Sequence, residues 1–351
     1  MLGVSSFAPI VGEIKEIPML VPKYWAESTH RGPLPRRRKA IHRYGWSDAC
    51  QEAAQAHAEQ RVRDAIERLE NPEIKVPWQE GQSRYGDEVR PICEEIIERR
   101  DPDVVTRNSY GALCLNTPDV LFADVDCHLP APPWTPPPLP ILIMTTIIIL
   151  VLSALGAPLY VITLVAFLPL LVVAISLSAI VRRKSLRHRH EVAVVAIRTG
   201  LLSSLREKLS TLPGRFRLYE TPNGFRIAAE HALFDPTGEE AKHLFDQLGT
   251  DRHFVLLCHL QRCFRARVTA KPWRCGVTSL GRYQRVDWAG VRGQSESKRQ
   301  AWLENYEKAS KGYAACRLIG RYGQFTADPR AKAVLDWHDE LARANSQLPL
   351  A

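Results

Sequence analysis

Residues 141–181 read ILIMTTIIILVLSALGAPLYVITLVAFLPLLVVAISLSAIV, 41 residues without a charged side chain. An α-helix rises about 1.5 Å per residue, so one helix of this length would be roughly twice as long as the ~30 Å hydrocarbon layer of a bilayer is thick. At the centre of the run stands Leu155-Gly156-Ala157-Pro158. Glycine frees the backbone there and proline removes a donor, which ends one helix and starts another. The segment therefore predicts a two-helix transmembrane hairpin over 141–181, with arms from Ile141 to Leu155 and from Leu159 to Val181. The first arm is short, which leaves a re-entrant hairpin open beside a spanning one, and a single span is the remaining alternative.

The flanks give a direction. Arg182, Arg183, Lys184, Arg187 and Arg189 follow the second arm, and positive residues stay on the cytoplasmic side. A hairpin returns to its starting side, so both flanking parts are expected in the cytoplasm of a cell whose inner membrane carries the protein. Before the first arm, residues 131–140 read APPWTPPPLP, a stiff polyproline approach with Trp134 as interfacial anchor. The N-terminus lacks a basic region before its apolar residues and meets Glu13 early, which argues against a signal peptide. The expected organisation is an N-terminal part over 1–130, a Pro-rich linker over 131–140, the hairpin over 141–181, and a basic C-terminal part over 182–351. The eight cysteines show no paired short spacing and read as free thiols, with Cys258-x4-Cys263-x11-Cys275 as a poor zinc alternative.

Charge is unevenly placed. Residues 1–140 carry 17 Lys+Arg against 21 Asp+Glu, a net of −4, and residues 182–351 carry 30 against 17, a net of +13. An excess of that size favours an anionic partner, either nucleic acid or nucleotide, or the surface of the lipid bilayer.

Periodicity supplies the elements. Ser47 to Leu69 reads as an amphipathic helix with Ser47 and Asp48 as cap oxygens. Val104 to Thr106, Gly111 to Leu115 and Val120 to Val125 read as strands. Alternation around Thr221-Pro222-Asn223-Gly224 predicts a β-hairpin turning at Asn-Gly. Helices are expected over Glu191 to Leu212, Glu239 to Gly249, Asp251 to Cys263 and Ala331 to Ala344. The first half has strands without enough helix to cover them, and the second has helices in surplus. The expected fold class is thus α+β: one soluble mixed domain interrupted by the transmembrane hairpin.

Two constellations carry chemistry. Leu121-Phe122-Ala123-Asp124-Val125-Asp126 is an apolar strand ending in two acids, and strand periodicity puts Asp124 and Asp126 on one face, where they could share Mg²⁺ or Mn²⁺ or pair with arginine. Further on, Arg262, Arg265, Arg267, Lys271 and Arg274 interleave with Phe264 and Trp273. Cations neutralise phosphates and aromatics stack on bases, which suits single-stranded nucleic acid or nucleotide. The competing reading has these arginines paired with the acidic half and Trp273 in the core. There is no G-x-x-x-x-G-K-[ST] loop, H-E-x-x-H helix or G-x-S-x-G elbow. Trp337-His338-Asp339 is expected at a surface, because neighbours on a helix do not face each other.

The strand ending Asp124-Val125-Asp126, followed by Thr221-Pro222-Asn223-Gly224, resembles the first two motifs of the archaeo-eukaryotic primase superfamily. That resemblance implies metal-holding acids at Asp124 and Asp126, a third at Asp287 in Arg285-Val286-Asp287-Trp288, and a phosphate contact at Arg226, where the family has histidine. A wider resemblance is to a family of uncharacterised bacterial transmembrane or hypothetical proteins. It rests on PKYWAE (22–27), RYGWSD (43–48), TRNSYGALCLNTPDVLFADVD (106–126) and CFRARVTAKPWR (263–274), and it implies membrane attachment without naming an activity. Two functions follow as expectations: a membrane-tethered binding or scaffold module with a basic surface, or a metal-dependent, primase-like nucleotidyltransferase.

Overall fold

In a computed structural model of the chain, the residues described are 19–32, 40–70, 91–127, 147, 150–151, 154–155, 158, 185–186, 188–280, 286–287, 290–291 and 296–351. Two four-stranded antiparallel sheets organise the larger unit, and each draws strands from both ends of the chain. The first sheet consists of β6 (Phe122–Asp126), β7 (Phe216–Thr221), β8 (Gly224–Ala229) and β12 (Arg317–Tyr322), in the order β12-β7-β8-β6. The second consists of β3 (Glu95–Arg100), β4 (Asp103–Arg107), β5 (Leu113–Thr117) and β9 (Phe264–Arg267), in the order β3-β4-β5-β9. Strand β6 pairs with β8 across 97 intervening residues, and β5 with β9 across 146. Met1–Asp126 and Arg206–Ala351 accordingly form one compact unit, and Cys127–Leu205 forms another.

Local sequence explains the strands. Tight apolar alternation in Phe216-Arg-Leu-Tyr and Phe225-Arg-Ile buries Phe216, Leu218, Phe225 and Ile227. The turn between β7 and β8 sets Thr221 opposite Gly224, so Pro222 and Asn223 are the central pair rather than Asn223 and Gly224. Proline at the first central position fixes φ near the value of a type I turn, which displaces the expected turn by one residue. Thr221 Oγ1 accepts the Gly224 N–H at 3.1 Å and closes it.

The helices begin and end on explicit signals. In α2 (Glu239–Leu248), Gly249 provides a left-handed C-terminus at φ 73°. Asp251 caps α3 (Arg252–Gln261) by accepting from the Phe254 N–H, and Asp328 caps α5 (Pro329–Ala342) by accepting from the Ala331 N–H, with proline in the first turn. Between them, α4 (Glu296–Ser310) stacks Trp302 on Tyr306 over Val277 and Leu280. Residues 188–211 are helical as well. Near the N-terminus, the antiparallel pair β1 (Tyr24–His30) and β2 (Ile41–Ser47) lies on α1 (Gln51–Glu70). Gly45 meets the backbone of Ala54 and Ala58 so closely that no Cβ fits.

Helix α5 reaches both sheets. His338 packs against Phe122 and Tyr219 of the first sheet, with ring centroids 5.0 Å apart in each case. Arg330, in its first turn, makes four hydrogen bonds to Asp103 of β4 and to Asp119. Those two acids come from the N-terminal half, so part of the C-terminal positive excess is spent inside the fold.

The transmembrane hairpin is corrected. Among the described residues no helix is long and apolar enough to cross a membrane. The fold class is a mixed α/β architecture, and the expected multi-pass membrane localisation is unsupported. Apolar length licenses a span only where helix continues through roughly 20 residues. Here the described positions 147, 150, 151 and 154 are helical and Leu155 is already a turn. Pro158 is described and lies outside any helix; the rest of 141–181, and the interface residues Trp134, Arg182, Arg183 and Lys184, lie outside the described residues.

Candidate nucleic-acid interface

Asp124 of β6 stands directly across from Arg226 of β8. The pair is bidentate: Arg226 Nε donates to Oδ1 at 2.7 Å and Nη2 to Oδ2 at 3.1 Å. Arg226 Nη1 donates to the Arg267 carbonyl at 2.9 Å and lies 3.3 Å from His338 Nε2. Guanidinium can only donate, so Nε2 is the acceptor and the ring proton sits on Nδ1, 3.0 Å from Asp339 Oδ1. Asp339 in turn accepts from Arg217 at 2.8 Å, and Arg217 also binds Glu230 and Asp336. A chain of alternating charges therefore runs beneath the first sheet. Arg226, Arg217, Glu230, His338 and Asp339 are all buried, and such groups are tolerated only because each has partners. Burial holds His338 below its ordinary value, with Arg226 acting in the same sense and Asp339 opposing.

Each oxygen of Asp124 accepts one hydrogen bond from the buried Arg226 guanidinium, so a cation at this carboxylate would share it with that arginine. Asp126, two residues on and exposed, sits at the end of the strand opposite Gly224. Asp287 belongs to β10 (Val286–Asp287), paired with β11 (Gly290–Val291), and its side chain lies outside the described residues. Among the described residues no group of three His, Cys, Asp or Glu side chains could hold a metal. The zinc alternative meets thiols that are free and buried: Cys258 is 2% and Cys263 0% exposed, and burial pushes the Cys263 thiol up to about 12.

The five expected phosphate contacts separate into two groups. Arg226, at 3% exposed, is committed to Asp124. Arg265 pairs with Glu94 at 2.7 Å, also a residue of the acidic half. Lys271 and Arg274 pair with no Asp or Glu among the described residues, and Arg274 Nη2 binds Asn223 Oδ1 at 2.5 Å. Arg267 Nη1 binds the Thr269 carbonyl and, at 3.1 Å, an oxygen of Ala351, the last residue of the chain, whose carboxylate compensates it. All three are pushed below their ordinary values. The first cause is burial; Arg226 acts further on Arg267, Arg267 and Arg274 on Lys271, and Arg267 on Arg274. Asp126 opposes the shift at Lys271 and Arg274. Cations that destabilise one another in this way are relieved by an anion.

The segment that carries them is stiff. Pro272 opens a 3₁₀ turn over Pro272–Arg274, closed by Arg274 N–H to the Lys271 carbonyl at 2.8 Å and by Cys275 and Val277 N–H to the Pro272 carbonyl. The turn leaves Trp273 53% exposed, so the expectation of a core tryptophan fails. The Lys271 ammonium lies 5.6 Å from the Trp273 ring centre, and Tyr110 meets the same ring edge-on at 5.3 Å. Tyr110 is placed by Asn108, whose Oδ1 accepts from the N–H groups of Tyr110, Gly111 and Ala112. Gly111 takes φ 105° there, against the Trp302 ring. That conformation is open to glycine and strained for other residues.

Tyr110, Asn223 and His338 are the contributors that sequence reasoning passes over. Asn108-Ser109-Tyr110-Gly111 has the composition of a turn, but nothing in it says that Tyr110 would meet Trp273. His338 is 0% exposed, and Trp337 and Asp339 are buried beside it, against the surface position expected of them. No family model matches the chain, and neither a curated protein nor a solved structure does.

Proposed function

We propose that the chain is a binding module for single-stranded nucleic acid, with Lys271 and Arg274 facing phosphate and Trp273 offering its ring to a base. The observation that carries this reading is the coincidence of two cations, Lys271 and Arg274, lacking Asp or Glu partners among the described residues, with an exposed tryptophan fixed between them on the same short turn. Base–aromatic stacking and phosphate neutralisation are the two ingredients of sequence-tolerant single-strand binding. An exposed tryptophan edge-on to Tyr110 and overlain by lysine needs a flat partner to cover its remaining face. The binding reading is favoured over the primase-like alternative because Asp124, the first acid of that resemblance, is paired with Arg226.

The test is fluorescence anisotropy of a labelled oligonucleotide with the full chain. Wild type binds, and Lys271→Met/Arg274→Met weakens binding by about tenfold or more at moderate salt. Unchanged affinity in the double variant, with an unchanged melting temperature, contradicts the proposal.

A further inference from the structure

We infer that Asn223 makes the module prefer guanine to adenine at the base stacked on Trp273. The inference rests on the single-strand reading above and deepens it by naming the base. Its ground is the contact that joins the β7–β8 turn to the tryptophan turn, in which Arg274 Nη2 donates to Asn223 Oδ1 at 2.5 Å. A guanidinium has no acceptor, so the amide atom that faces it is the oxygen. The amide nitrogen Nδ2 shares a carbon with that oxygen and so stands beside the guanidinium. Asn223 is exposed, and its Nδ2 makes no hydrogen bond among the described residues. The turn that carries it is already closed by the Gly224 N–H and Thr221 Oγ1, which leaves the Asn223 side chain available to a ligand.

The pair offers two donors side by side, an Asn223 Nδ2–H and the second Nη2–H of Arg274, while Nη1 and Nε remain for phosphate. Arg274 follows Trp273 directly, so a base stacked on that ring can turn its edge to the pair. Guanine presents N7 and O6 as adjacent acceptors, whereas adenine presents N7 beside the N6 amino donor. Two donors satisfy guanine at both atoms. Asparagine reads adenine by donating to N7 and accepting from the amino group through Oδ1. Here Oδ1 has one lone pair left, and an amino group using it would lie against the Arg274 N–H donors. Both bases are purines with the same ring system to stack, so the edge decides between them.

The experiment measures fluorescence anisotropy of the full chain with labelled oligothymidylates of one length, carrying at every third position guanine, adenine or 7-deazaguanine, which lacks the N7 acceptor. Charge and length are the same in all three. Wild type binds the guanine strand at least about fivefold more tightly than the adenine strand, the low end for a bidentate base contact, and the 7-deazaguanine strand loses most of that advantage. Asn223→Asp keeps an oxygen for Arg274 and puts an acceptor where Nδ2 stood, so the order reverses in favour of adenine at an unchanged melting temperature. A residue that merely held Arg274 in place would shift all three strands together. Equal affinity for the guanine and adenine strands, or an order that Asn223→Asp leaves unchanged, overturns the inference and leaves strand binding intact. No binding of any strand overturns both.

Discussion

His338 Nε2 accepts a hydrogen bond from the Arg226 guanidinium, 3.3 Å away, while the same Arg226 nitrogen holds the Arg267 carbonyl at the end of β9. A buried ring on α5 is thereby linked to the strand end from which the Lys271–Arg274 turn departs. The fold's internal charges and its surface charges are thus different populations of the same basic half: Arg226, Arg217, Arg265 and Arg330 are paired with acids, and Lys271 and Arg274 pair with no Asp or Glu among the described residues.

Asp124→Asn removes the carboxylate that compensates a buried guanidinium. Stability should fall by about 3 kcal/mol, the low end for breaking a buried pair, since Asp124 retains some solvent exposure. Urea unfolding measures this. In the same preparations, millimolar Mn²⁺ should leave the wild-type melting temperature unchanged; a rise would restore the metal reading of Asp124 and Asp126.

The pH dependence follows from two histidines, His338 buried and His231 half-buried. His338 and His231 are both lowered by burial. Below the unfolded value of about 6.5, the unfolded chain takes up protons that the folded chain refuses, so stability is complete above that pH and declines as pH falls toward the folded values. The lowered carboxyls of Glu230, Asp336 and Asp339 act only at more acidic pH. Unfolding free energies measured between about pH 7 and about pH 5 should therefore fall in wild type. His338→Gln, which keeps an acceptor near Arg226 and cannot titrate, should show a shallower fall, with His231 supplying the remainder.

Gly45→Ala places a methyl group against the backbone of Ala54 and Ala58 in α1. Backbone cannot yield as a side chain can, so α1 must move off the β1–β2 pair. The expected loss is about 2 to 3 kcal/mol by denaturant titration, in the upper range for overpacking.

Legibility in the sequence tracked how local the determining interaction was. Strands β4, β5 and β6, the β7–β8 hairpin, and helices α1, α2, α3 and α5 were readable, because each announces itself by alternation, a cap or a turn within a few residues. Pairs β1–β2 and strand β12 were not. Tyr24–His30 and Ile41–Ser47 mix polar and aromatic residues, and only α1 behind them defines which face is inside. Strand order was equally hidden: nothing near Asp124 in the chain reveals that Arg226 will stand opposite it. His338 was misplaced because the rule for neighbours on a helix assumes one buried stripe, and α5, touching both sheets, buries Trp337, His338 and Asp339 together. The apolar run at 141–181 was conspicuous, yet composition by itself does not establish a continuous helix.

The most direct test of the central claim is the salt dependence of oligonucleotide affinity in wild type, Lys271→Met/Arg274→Met and Trp273→Ala. Removing two phosphate contacts should flatten the slope of log K against log salt by about 1.4 for a single strand. Trp273→Ala should leave that slope unchanged while weakening binding by the equivalent of about 1 to 3 kcal/mol for one lost stacked base. A wild-type slope shared by the double variant, or full affinity without Trp273, would contradict the account.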